Sequence, residues 1–236
     1  VKKIVIYVLI LLLIIAIMVL VSVYLLNIEF RNWCDENVFR KEILQANTKY
    51  IEIDGDENTQ VYAYDKYICV FRKKTLEFYN KVGTKVSEIE LDINKAAFSS
   101  AGTYMAICEE NGKKFYLISG REKVFENEVE GNITQIHVSN SGYISIVISD
   151  TSYKSVIDVY NRSGKEIFKT NLVTARVADV CMSQDSKYLA IAEVDLSGII
   201  IRSSIQIVSI ELAQTNPKDA IVYKYEAPTD KLIMNI

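Results

Sequence analysis

The pattern of apolar and polar positions divides the chain into three unequal parts. Ile4 to Leu26 is an unbroken apolar run without charge, glycine or proline, and Ser22 is its one plainly polar residue. A helix over residues 4–26 is roughly 35 Å long, enough to cross a hydrocarbon core of about 30 Å. Tyr7 and Tyr24 stand near its ends, where interfacial aromatics are found. A cleaved signal peptide instead has an apolar stretch of about 7–15 residues followed by a small-x-small site. The run is longer than that, and Tyr24-Leu25-Leu26-Asn27 is a poor site. The pattern predicts an uncleaved transmembrane helix over 4–26, preceded by a cytoplasmic tail, 1–3. Lys2 and Lys3 precede the span, and a mixture of Glu29, Arg31, Asp35 and Glu36 follows it. The positive-inside rule then leaves the N-terminus in the cytoplasm and the rest outside.

Residues 27–48 form a juxtamembrane segment. Trp33, Val38, Ile43 and Leu44 are loosely spaced for one helical face and predict a short helix from Ile28 to about Ala46. From Lys49 the pattern changes to period two, in short β-rich runs separated by Gly, Asn, Asp and Ser. The runs group in fours. Strands at 61–64, 67–71, 75–80 and 86–91 make a first blade over 59–92. Strands at 95–99, 104–109, 114–119 and 123–128 make a second over 94–130. A third, over 133–173, has 134–139, 143–149, 155–161 and 166–170. The fourth, over 176–226, has 177–183, 188–194, 203–210 and 220–225.

The grouping rests on a repeat. Phe98-Ser99-Ser100-Ala101-Gly102-Thr103-Tyr104-Met105-Ala106-Ile107 returns as Val138-Ser139-Asn140-Ser141-Gly142-Tyr143-Ile144-Ser145-Ile146, then as Met182-Ser183-Gln184-Asp185-Ser186-Lys187-Tyr188-Leu189-Ala190-Ile191. The anchor serines at 99, 139 and 183 are spaced by 40 and 44 residues, the period of four-stranded propeller blades. Asn80-Lys81-Val82-Gly83-Thr84-Lys85 and Asn161-Arg162-Ser163-Gly164-Lys165 fall between third and fourth strands, where Asn and Gly are expected to supply left-handed turn conformations. The fold class is therefore all-β: a propeller of four-stranded antiparallel blades behind one transmembrane helix. Residues 229–236 read as the first strand of a further blade, so the chain is expected to be a piece of a ring of about six to eight blades. Tyr50-Ile51-Glu52-Ile53 is the expected closing strand.

Ser183 to Ala190 resembles the Ser-Pro-Asp-Gly-Lys-Tyr-Leu-Ala hairpin of WD40-like propellers of the TolB kind, departing from it at Gln184 and Ser186. The Gly-His and Trp-Asp signatures of WD40 repeats proper are absent. One N-terminal anchor followed by such blades resembles an uncharacterised family, a domain of unknown function, of membrane-anchored propellers from Gram-positive, clostridial-type bacteria. The resemblance runs from about Ile4 to Ile236. It implies the fold and brings no catalytic residues with it.

Composition narrows the chemistry. A net charge of −3 lacks the basic footprint of a nucleic-acid binder. Cys34, Cys69, Cys108 and Cys181 show no Cys-x-x-Cys spacing, and the last three lie in apolar strand patterns as buried, inert thiols. His137 is the sole histidine, which excludes a multi-histidine zinc site. No Gly-x-Ser-x-Gly elbow or phosphate-binding glycine loop occurs. Asp54-Gly55-Asp56-Glu57-Asn58 is dense in acid but lacks EF-hand spacing, and reads as a solvated turn. No cofactor or metal is expected. Aligned on the serines, Lys95, Gln135 and Asp179 are equivalent positions on the innermost strands, around a central channel. With His137 they are the candidate ligand-binding residues; plain hydration of a polar channel is the alternative. These observations favour an extracytoplasmic, membrane-tethered binding or scaffolding module for envelope proteins or cell-wall glycans. An envelope glycan hydrolase or lyase, acting at the channel mouth, is the alternative.

Overall fold

The computed structural model describes residues 2–39, 51, 53, 57–229 and 231–236, which form two compact units, Val1–Thr48 and Lys49–Ile236. In the first unit, α1 (Lys2–Leu26) is followed by α2 (Ile28–Asn37). From Leu9 to Val23 every side chain of α1 is exposed, and the helix is long and apolar enough to cross a membrane. The break at Asn27 is local chemistry: its Oδ1 accepts the Phe30 amide at 2.9 Å and starts α2. The Tyr24 hydroxyl donates to Asp35 Oδ1 at 2.7 Å and ties the two helices. The juxtamembrane helix thus closes at Asn37 within the described residues; Ile43 and Leu44 lie outside them, as do most of the acidic turn and of the expected closing strand.

The second unit is four sheets of four antiparallel strands, each in simple chain order. The first holds β1 (Gln60–Tyr64), β2 (Tyr67–Arg72), β3 (Thr75–Tyr79) and β4 (Lys85–Glu90); the second holds β5 (Ala96–Ala101), β6 (Tyr104–Glu109), β7 (Lys114–Ser119) and β8 (Glu122–Glu128). The third holds β9 (Asn132–Val138), β10 (Ile144–Ser149), β11 (Ser155–Tyr160) and β12 (Glu166–Leu172). The fourth holds β13 (Ala175–Met182), β14 (Tyr188–Asp195), β15 (Arg202–Ser209) and β16 (Ile221–Glu226).

Three apolar layers lie between successive sheets. Phe71, Phe78 and Leu76 pack with Met105, Ile107 and Ile118. Ala106, Cys108, Phe115 and Leu117 pack with Ile136, Ile144 and Ile146. Val147, Ile157 and Val159 pack with Val180, Leu189 and Ile191. Each such side chain is worth about 1.5–3 kcal/mol when fully buried.

Turn chemistry sets the hairpins. Gly102, Gly142 and Ser186, each third after its anchor serine, have φ of 57°, 78° and 56°. Ser186 therefore bears a left-handed conformation that its two counterparts give to glycine. In the third-to-fourth-strand turns only Gly83 and Gly164 are left-handed, at φ 74° and 81°. This corrects the expectation for the asparagines, which act through their side chains. Asn80 Oδ1 accepts the Val82 and Thr84 amides, and Asn161 Oδ1 those of Ser163 and Lys165. The fourth sheet also carries an unanticipated helix, α3 (Ile210–Thr215), between β15 and β16. Ser209 caps it, its Oγ accepting the Leu212 amide at 3.3 Å.

A Cβ on Gly142 would lie 2.8 Å from Cε1 of the Tyr104 ring, whereas one on Gly120 (φ 60°) meets nothing within 4 Å. Urea unfolding should show Gly120→Ala costing about 1 kcal/mol, the left-handed strain alone. Gly142→Ala should cost about 2–4 kcal/mol, because overpacking against the ring adds to that strain. Equal losses at both sites would refute the Tyr104 contact.

Candidate functional site

The first strands β5, β9 and β13 run beside one another, and β9 and β13 bring three of the four candidate residues together. Gln135 Nε2 donates to the Ala178 carbonyl at 3.0 Å, across from one sheet to the next. His137 Nε2 lies 3.7 Å from Asp179 Oδ1. Asp179 in turn accepts the Val180 amide on Oδ1 and the Ile236 amide on Oδ2, both at 2.9 Å. Lys95 stands apart, its Nζ 2.8 Å from Glu110 Oε2 in its own sheet. Gln135 and Asp179 therefore hold the backbone of the next inner segment. Val138 N donating to Ser99 Oγ at 3.1 Å is a third contact of that kind. Burial holds the His137 imidazole below its usual pKa despite the nearby Asp179 carboxylate, so it is neutral at pH 7. Cys181, two residues before its anchor serine as His137 is, is exposed, against the expectation of burial. It points away from Val180, which faces the core. Cys69 and Cys108 are buried as expected, and burial pushes both thiols up to about 12.

A second arrangement is built by the repeat. Ser139 Oγ accepts the Tyr143 amide and Ser183 Oγ the Tyr188 amide, at 3.1 and 3.0 Å. Ser186 Oγ donates to Ser139 Oγ at 3.0 Å and joins the two hairpins through a buried contact. Above this floor, between the third and fourth sheets, lies a cleft of about 580 Å³. Tyr143, Arg162, Tyr188, Glu211 and Gln214 line it with Asp185 and Lys187. At the preceding junction the Tyr104 ring lies against Gly142. At this one the tyrosine comes one residue earlier in the repeat, a serine hydroxyl replaces the glycine, and α3 adds a wall.

Sequence reasoning quoted both tyrosines as repeat landmarks without assigning them to a site. Arg162, Glu211 and Gln214 were missed altogether. The one available signal was the long connection after β15, against the tight turns after β3 and β11.

The buried acids are not paired with one another. Glu77 is held by Arg72, Lys85 and the Tyr79 hydroxyl. Asp158 lies on β11 with Lys169 Nζ 3.6 Å away, and Glu193 on β14 accepts from Gln206 at 3.0 Å. Among the described residues no group of three or more His, Cys, Asp or Glu is placed to hold a metal.

Side-by-side sheets of four antiparallel strands, each with its first strand innermost, define a β-propeller. The chain belongs to the family of unknown function DUF5711, whose model matches residues 42–236. No curated protein matches the sequence. A solved structure described as the eukaryotic initiation factor is similar, with a TM-score of 0.51 and 13% identity over 81% of this chain and 47% of that one. The WD40 domain of Neurospora crassa Pan2 matches at a TM-score of 0.48 and 12% identity, over 75% of this chain and 53% of that one. BamB from Moraxella catarrhalis matches at 0.48 and 12%, over 73% and 50%. The chain spans about half the length of these solved structures.

Burial lifts the Asp158 carboxyl to about 6, more than Lys169 offsets. A carboxyl with a raised folded pKa favours folding fully below its unfolded value near 4, and that contribution is lost as pH rises through about 6. Asp158→Asn should therefore stabilise the protein by about 2 kcal/mol at pH 8 and by nearly nothing at pH 4. Thermal melts across that range check it; a stabilisation independent of pH would contradict the assignment.

Proposed function

We propose that this protein is a membrane-anchored, extracytoplasmic propeller that binds envelope proteins or cell-wall glycans. The observation that carries this reading is the open polar cleft between the third and fourth sheets, set in a fold used widely for recognition. The flanking lysines of α1 support placing the propeller outside the cytoplasm. The β9–β13 cluster supports a structural role more than a catalytic one. His137 is neutral and Asp179 is occupied by two backbone amides, so neither is poised to take a proton from a nucleophile.

Location and binding are tested separately. In a Cys34→Ser background, a membrane-impermeant maleimide applied to intact cells should label Cys181, while Cys69 and Cys108 stay protected by burial. Labelling only after lysis would place the propeller in the cytoplasm. A photo-cross-linking amino acid at position 188 should give a reproducible adduct with one envelope component; no adduct under any growth condition would sink the binding role.

A further inference from the structure

We infer that the cleft between the third and fourth sheets binds a neutral, hydroxyl-rich oligosaccharide, an assignment that rests on the binding role proposed above. Three properties of the cleft lead to it. The first is size: about 580 Å³ is in the range of small-ligand sites and suits a short oligosaccharide.

The second is the character of the walls. Ser141, Ser209, Gln214 and Thr215 line the cleft along with the charged residues, and Ile210, its one aliphatic side chain, is buried. Peptide grooves depend on apolar anchor pockets, which this lining does not offer. Tyr143 and Tyr188 supply the apolar surface instead. Each ring is partly exposed, and each comes from a hairpin whose serine fixes the tyrosine amide. A tyrosine presents a flat apolar face and a polar edge. A pyranose ring has the complementary form, with C–H groups on its faces and hydroxyls at its rim.

The third property is charge. Arg162 and Lys187 are balanced by Asp185 and Glu211, and Lys187 Nζ is already 3.6 Å from Asp185 Oδ2. Among the described residues, the Arg162 guanidinium and Glu211 carboxylate have no ion-pair or hydrogen-bond partner. One offers only donors and the other only acceptors. Such a pair suits hydroxyl groups, which both donate and accept. It gives no net attraction to an anion or a cation.

The probe is chitotriose, titrated by calorimetry into the full chain held in a detergent without a sugar headgroup. Binding should saturate at one site and change less than about two-fold between low and high salt, since no net charge is neutralised. Tyr188→Ala should weaken it at least about ten-fold, and Tyr188→Phe, which keeps the ring, should restore most of the affinity. Glu211→Gln should weaken it about three- to ten-fold with unchanged melting temperature.

Absence of chitotriose binding, or binding that Tyr188→Ala leaves intact, overturns the inference. If chitotriose fails while the position-188 cross-linker captures an envelope protein, the saccharide assignment falls and the binding module stands. If both fail, both fall.

Discussion

In β6, Met105 and Ile107 pack toward the first sheet while Ala106 and Cys108 pack toward the third. A strand buried on both faces has no polar side to show, so β6, β7, β10 and β11 read as almost continuous apolar runs. The outer strands β4 and β8 meet water and alternate. This sheet-on-sheet packing is the constraint from which the rest follows. No single blade has a core of its own, since each apolar layer is shared between two. The sheets hold one another up as repeat units do, through nearest-neighbour interfaces. The fourth sheet shows what an uncovered blade looks like: Ile221, Val222, Tyr223 and Tyr225 of β16 are all exposed.

Apolar layers fix which faces meet but tolerate sliding of one sheet along the next. The polar contacts remove that freedom, because each bonds a defined atom across a junction. Val138 N to Ser99 Oγ, Val177 N to Ser155 Oγ and Ile233 N to Ser203 Oγ each join a side chain to the backbone of the following segment. Gln135 and Asp179 belong to this set. A position that recurs in every repeat is thus evidence of a recurring task, and here much of that task is holding adjacent inner segments in register.

The sixteen strands were legible because two periodicities coincide: alternation within a strand and recurrence of the serine hairpin between blades. The left-handed turn position was legible at Gly102 and Gly142, and inferable at Ser186 only through the repeat. Helix α3 was not legible. Ile210-Glu211-Leu212-Ala213-Gln214-Thr215 is too short to show helical period, and its decisive signal is a capping bond from Ser209. The fate of Lys95 was hidden for a different reason. Its register on the repeat is right, but Glu110 lies within reach in the same sheet and takes the ammonium. Sequence equivalence fixes where a Cα sits; the partner a long side chain finds depends on the neighbouring strand.

The cleft follows from the same economy. A repeat builds identical junctions unless something interrupts it, and an identical junction is filled by its own tyrosine, as Tyr104 covers Gly142. Three small departures accumulate at the junction of the third and fourth sheets: a tyrosine one residue early, a serine in the glycine position, and a helix in place of a tight turn. None of them improves packing. Ser186 holds a conformation that costs a non-glycine residue about 1–2 kcal/mol. The bond from its hydroxyl to Ser139 returns part of that and fixes the floor. Strain accepted at one junction, where a regular glycine would relieve it, coincides with the place where the propeller opens a polar cleft, and that coincidence is the structural argument for function there.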